Sequence, residues 1–232
     1  MNDSPSFQPV YHLIRAFEPW VHHSIGPVLP VQAMLDARYL LPEPQECRLK
    51  DGRSILIRPV LAGDAKEVLD LEYAVVAQGA GVVKVLADLP SDEEEMLPYV
   101  DEWAKMSPVE GVRLVAVLDG RLVADATAER LSPTLVNHVA ILTLQVHPEV
   151  QGQGIGRMML LGLLEWAHQL LRESNRPLKR LEMYVLSENI RAQSLYRSVG
   201  FQLEGVRRCF HRAIDGSFHD DYVMGLLLDL ES

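Results

Sequence analysis

VHPEVQGQGIGRMML, residues 146–160, places Gly152, Gly154 and Gly156 at alternate positions ahead of an apolar run. Pro148 closes whatever strand ends at Val146, and the apolar run beyond Gly156 has the spacing of a buried helix. The glycines therefore mark a strand-to-helix junction. The first turn of a helix presents backbone N–H groups without partners, and with the helix dipole they form an anion site. Glycine lets a diphosphate approach that backbone closely. The same residues also suit a tight turn with close helix packing, and the stretch alone leaves both readings open. It is no dinucleotide fingerprint, because that pattern needs G-x-G-x-x-G after a first strand. No P-loop lysine and hydroxyl pair follows it.

Outward from this junction the pattern alternates strands and helices. SILIRPV (54–60) alternates as a strand, and a helix is expected at about 64–78. DLPSDEEEMLPYVDEWAKM (88–106) carries a second helix, with Ser91 and Glu94 spaced as a capping box. Its acidic start either draws in a cationic ligand or is a solvated helix end. VRLVAVL (112–118) and RLVADATAERL (121–131) flank Asp119-Gly120 as a hairpin, and HVAILTLQVHP (138–148) is the strand before the glycines. A long helix over 154–172, a strand over 179–186 and a helix over 189–200 follow. A hairpin around Asp215-Gly216 ends the domain. The fold class is α/β, a mixed, mostly antiparallel central sheet with flanking helices.

Residues 1–50 read as an N-terminal extension broken by Pro9, Pro19, Pro27, Pro30, Pro42 and Pro44, with a short helix at about 31–40, and the domain proper runs over 51–232. The net charge of −10 argues against a broad nucleic-acid face. Cys47 and Cys209 are too far apart for a CxxC pair, and the histidines form no HExxH, so no metal is expected. No apolar stretch reaches a membrane span, and the N-terminus lacks a secretory pattern. A cytoplasmic protein is the expectation, with no nucleic-acid or membrane partner and with room for a homodimer.

Gln151-x-x-Gly154-x-Gly156 resembles the signature loop of the GCN5-related N-acetyltransferase (GNAT) superfamily. Asn189, Ala192, Leu195-Tyr196 and Gly200-Phe201 resemble its second signature, N-x-x-A-x-x-L-Y-x-x-x-G-F. The resemblance spans about residues 53–230. It implies acetyl transfer from acetyl-CoA to a primary amine, on a small molecule or a protein amino group. It implies that the backbone of Gln151, Gly152, Gln153, Gly154, Ile155, Gly156 and Arg157 holds the pyrophosphate. It further implies that Leu144, Gln145 and Val146 bond the pantetheine arm, which Asn189 also contacts. Tyr196 resembles the tyrosine that returns a proton to the departing thiolate.

Many relatives carry a glutamate on the strand before the loop, where this sequence has Ile141. Glu129 or His138, at neighbouring strand ends, is then expected to take the amine's proton through water. His147 either touches phosphate or faces solvent. Arg157, Lys179, Arg180 and Arg191 either neutralise phosphates or pair with nearby glutamates. The missing glutamate also motivates the alternative of a catalytically inactive GNAT-fold module that binds acyl-CoA as a sensor or regulator.

Overall fold

The computed structural model describes residues 42–79, 81–173 and 175–228. The elements in chain order are β1 (Gln45–Arg48), β2 (Ser54–Pro59), α1 (Ala65–Gln78), α2 (Glu93–Lys105), β3 (Gly111–Leu118), β4 (Arg121–Arg130) and β5 (Val139–Val146). They continue as α3 (Ile155–Glu173), β6 (Arg180–Leu186), α4 (Ile190–Ser198), β7 (Gln202–Arg212) and β8 (Phe218–Leu227). One sheet takes the order β1-β2-β3-β4-β5-β6-β8-β7. Among the described residues only β5 and β6 pair in parallel. The sheet is mixed and mostly antiparallel, with helices on both faces. The helix read at 31–40 lies outside the described residues. β1 joins the sheet from within the stretch read as an extension, pairing with β2 from Gln45 to Arg48.

Two apolar layers hold the helices. On one face α3 buries Met159, Leu160, Leu163, Trp166 and Leu170 against Leu114, Ala126 and Leu142 of the sheet. The Trp166 indole N–H donates to the Pro108 carbonyl at 2.8 Å, so its one polar atom is satisfied. Truncating a side chain such as Leu163 there costs about 2–5 kcal/mol. On the other face α1 and α2 pack Val68, Leu71, Val75, Val100 and Trp103 against Val115 and Leu122. The start of α2 differs from the capping box at Ser91. Asp92 is the cap, accepting from the Glu95 N–H at 3.0 Å, while the Ser91 N–H donates to the Glu95 carboxylate at 2.8 Å. A carboxylate is the stronger acceptor for an orphan helix N–H, so the box slides one residue along.

The parallel pair positions the site. β5 and β6 pair at only three positions, Val139–Ile141 with Arg180–Glu182. Beyond them β5 stays bonded to β4 as far as Val146, and β6 stays bonded to β8 as far as Leu186. The two strands splay, and α3 and α4 begin at the open end of the gap.

Candidate active site

The gap opens into a cleft of about 1830 Å³ that runs from the glycine loop to the β7–β8 hairpin. A single drug-sized ligand occupies about 300–1,000 Å³, so the cleft exceeds the volume of one such ligand. Antiparallel pairing decides what the β5 backbone offers. The His147 N–H donates to the Val123 carbonyl at 2.8 Å, and the register runs on as Val146 with Ala124 and Gln145 with Asp125. Hydrogen-bonded and open pairs alternate along such a ladder. The polar backbone of Gln145 is thus spent on β4, while the N–H groups of Leu144 and Val146 point into the gap. Of the three residues expected to meet the arm, two present backbone there.

At the loop, the backbone N–H groups of residues 152–156 donate to no described residue, and the first helical bonds are those of Arg157 and Met158 to the Gly154 carbonyl. Gly152 and Gly154 have φ of 80° and 93°, with nothing within 4 Å of a hypothetical Cβ on either. Their positive φ turns the chain here, in a conformation glycine adopts freely. Gly156 answers the other reading: a Cβ there would stand 3.1 Å from Leu195 Cδ2 and 3.4 Å from Leu144 Cδ2. Two glycines shape the turn and the third lets α3 approach β5 and α4.

Gln151 braces this loop, its Nε2 donating to the Val146 carbonyl and to Gln78 Oε1, both at 3.0 Å. Its Oε1 accepts from Arg191 at 3.2 Å. The Gln153 side chain turns away to accept from Arg53 at 2.7 Å. Arg157 and Arg191 line the cleft, whereas Arg180 is engaged by Glu182 and Glu204 and Lys179 does not line it. His147 neither reaches the cleft nor faces solvent. It is buried beneath the loop, where it accepts from the Glu149 N–H at 3.3 Å and contacts Arg121 at 2.6 Å. Burial and the adjacent guanidinium hold its pKa below the usual histidine value.

Tyr196, on α4, is buried yet lines the cleft, and its hydroxyl meets no hydrogen-bond partner among the described residues. Burial pushes its pKa up to about 12. Asn189 caps α4, its Oδ1 accepting from the Ala192 N–H at 3.1 Å. Its Nδ2 lies against Gly81, where any Cβ would collide with it. Glu129, opposite Ile141 in the β4–β5 register, lines the cleft. His138 does not. It is exposed at the closed end of the gap, where its carbonyl accepts from the Lys179 and Arg180 N–H groups. The strands pair at that end instead of splaying, so His138 is held away from the reacting position.

The far end of the cleft carries residues that the sequence did not mark. Tyr184 on β6 and Arg207, Phe210 and His211 on β7 line it. The Tyr184 hydroxyl donates to Glu182, and burial followed by that bond raises its pKa to about 12. His211 Nδ1 is buried with no hydrogen-bond partner among the described residues. The exposed acids at the start of α2 do not line the cleft. Among the described residues no group of three His, Cys, Asp or Glu could hold a metal ion. No helix among them is long and apolar enough to cross a membrane.

A family model described as the acetyltransferase (GNAT) family matches residues 82–201. The chain is 37% identical over 105 residues to the N-alpha-acetyltransferase RimI of Mycobacterium tuberculosis, covering 45% of this chain and 59% of that protein. The match thus spans about three fifths of that relative's length. Among solved structures, a GNAT-family acetyltransferase of Streptococcus pneumoniae superimposes with a TM-score of 0.67 at 25% identity, over 75% of this chain and 99% of that one. The protein yncA of Salmonella typhimurium, solved with its cofactor acetyl-CoA, gives a TM-score of 0.63 at 20% identity, over 76% and 95% of the two chains.

Proposed function

The chain belongs to the acetyltransferase (GNAT) family, and from that premise we propose that it is an acetyl-CoA-dependent N-acetyltransferase acting on a primary amine in a ternary complex. One observation carries the reading: at the mouth of α3 the five consecutive N–H groups of residues 152–156 have no partner among the described residues, and Gly152, Gly154, Ile155 and Gly156 line the cleft. They bind the diphosphate of the thioester carrier, with Arg157 and Arg191 neutralising its charge. The arm lies in the gap and bonds the backbone of Leu144 and Val146. The Val146 N–H also suits the oxyanion that forms when the amine attacks the acetyl carbonyl.

Attack forms the N–C bond and breaks the C–S bond. Glu129 accepts the amine's proton through water, and Tyr196 gives its hydroxyl proton to the leaving sulfur. A pKa of about 12 keeps Tyr196 protonated throughout the neutral range. It also stands some three units above a free thiol near 8.5, so the transfer needs a thiolate made more basic. Burial in the same cleft does this, because desolvation disfavours every anion there. The acceptor is an amine of a small molecule or of a protein, the relative named N-alpha-acetyltransferase supporting the second. The reaction belongs to a soluble, cytoplasmic setting.

Acetyl-dependent thiol release over a panel of amines tests this, set beside a thermal-shift titration with acetyl-CoA. Transfer to at least one amine is expected. Ile141 in place of a strand carboxylate favours one rival reading, a module that binds acyl-CoA as a sensor. A thermal shift with no transfer across the panel would select that rival, and no shift at all would remove both.

A further inference from the structure

The far end of the cleft, away from the glycine loop, holds an arginine fixed on three sides. Arg207 lies across β8 from Leu186, in the row Leu186–Asp221–Arg207. Two strand spacings put its Cα about 10 Å from the open edge of β6, and its side chain leans back over that edge. The guanidinium carbon sits 4.0 Å from the centroid of the Tyr184 ring and 3.7 Å from that of Phe210. Its Nε donates to Asp221 Oδ1 at 2.6 Å and its Nη2 to the other carboxylate oxygen. Asp221 is 3% exposed, so this pairing is enforced. Nη1 has no acceptor among the described residues, and the side chain keeps about a third of its surface open to the cleft.

A local irregularity makes the arrangement. The β7–β8 register shifts between Arg207 and His211, so residues 208–210 bulge against Asp220 alone. Cys209 takes φ 53°, a left-handed conformation that non-glycine residues seldom adopt, and its N–H is held by Asp220 Oδ1 at 2.9 Å. The bulge turns Phe210 back over Arg207. Bulges of this kind re-aim side chains beside active sites, and strained residues gather there.

We propose that Arg207 is a specificity-determining residue: its open Nη1 edge donates to the carbonyl oxygen next to the acceptor amine, selecting amines with an adjacent carbonyl over plain alkyl amines. The proposal rests on the transferase reading above. Asp221 already neutralises the guanidinium, so the edge suits a neutral carbonyl better than a carboxylate. The reaction chemistry agrees. An α-amino group has a pKa near 7.7–8.0, against about 10.4 for a lysine-type amine. At pH 7.5 roughly a third of the first is neutral, and roughly a thousandth of the second. With Ile141 on the strand, an acceptor of which roughly a third arrives already neutral asks less of Glu129 than a lysine-type amine does.

The test compares alaninamide with 2-aminopropane, of similar size but without the carbonyl, using the full chain and acetyl-CoA. Rates are corrected to the neutral amine. The wild type is expected to favour alaninamide by roughly 100-fold in kcat/KM. Arg207→Lys keeps the charge beside Asp221 but loses the planar fork and the stack. It and Arg207→Met are expected to shrink that preference at least tenfold, through the KM for alaninamide, with the acetyl-CoA Kd changed less than twofold. Should Arg207→Met fold poorly, the double variant Arg207→Met/Asp221→Asn removes the orphaned carboxylate. Equal rates on both amines, or variants that leave the preference intact, would overturn the proposal while sparing the transferase. Free alanine outrunning alaninamide would overturn it in favour of carboxylate recognition. Transfer to no amine at all would overturn the transferase reading and this one together.

Discussion

Replacing Gly154 by alanine separates the anion-site role of the loop from simple turn-making. The new Cβ meets nothing within 4 Å, so no clash is expected, but φ of 93° is strained for any L-residue. That strain costs about 1–2 kcal/mol. For a domain of this size, Tm then falls by roughly 2–8 °C. If the loop relaxes instead, the N–H groups around position 154 swing off the diphosphate. A hydrogen bond to a charged group contributes about 1.5–3 kcal/mol. Losing two such bonds raises the acetyl-CoA Kd by about 100-fold or more. Gly52 supplies the control. Its φ is 91°, its hypothetical Cβ is equally uncrowded, and it lies in the β1–β2 turn away from the cleft. Gly52→Ala is expected to lower Tm similarly and leave the Kd alone. Calorimetric titration of the two variants with acetyl-CoA, with melting curves for each, reads both quantities. Equal affinities for Gly154→Ala and wild type would refute the anion-site argument, as would an equal affinity loss in Gly52→Ala.

Tyr196→Phe should lower kcat by about 100-fold with little change in acetyl-CoA affinity, the range expected for losing a general acid; steady-state kinetics with a binding titration checks it. Glu129→Gln should reduce kcat/KM by about 100-fold, whereas His138→Ala should leave it within about twofold, because His138 sits at the closed end of the gap. Stability should fall between about pH 10 and 12. Tyr196 and Tyr184 both have folded pKa values raised to about 12, so their contribution is complete below the unfolded value near 10 and is lost as pH climbs through the folded one. Denaturant midpoints across that window should decline less steeply in Tyr196→Phe. His147 acts in the opposite sense: its folded pKa is depressed, so its contribution is present above about pH 6.5 and fades as pH drops below it. Chemical denaturation from pH 7 to 5 should show that loss diminished in His147→Asn.

The sequence made the scaffold legible because each element carried its own local signal. The 3.6-residue spacing of α3, the alternation in β6 and the Asp119-Gly120 turn need no distant partner to be read. The loop was legible for the same reason, since strand, proline, glycines and helix follow one another directly. What the sequence left unread depended on contacts between segments. The Gln153 backbone is part of the loop, but its side chain answers Arg53, 100 residues away, and no local pattern marks that pair. His147 read as touching phosphate or facing solvent, but it is buried and in contact with Arg121 from the facing strand. His138 and Glu129 were equivalent as strand-end residues. Only the point where β5 parts from β6 tells them apart, and that point is set by pairing across the sheet.

Arg207 is the extreme case, and it bears on whether the cleft is a working site or a relic. Its clamp draws on β6, β7 and β8 and on a bulge whose strained residue, Cys209, has no sequence signature. A left-handed non-glycine residue costs about 1–3 kcal/mol and persists only where its surroundings enforce it. A module needing only the thioester carrier would use the loop and the gap, and gain nothing from a rigid guanidinium at the opposite end. Relaxing the bulge would then be stabilising. Cys209→Gly, which removes the strain while leaving Arg207 and Asp221 in place, therefore divides the readings. If the strain holds Phe210 over Arg207 for an acceptor, the variant should melt higher and still bind acetyl-CoA, with a raised acceptor KM. If the acceptor end is idle, it should melt higher with no kinetic consequence, and the selection of amines by Arg207 would lose its structural support.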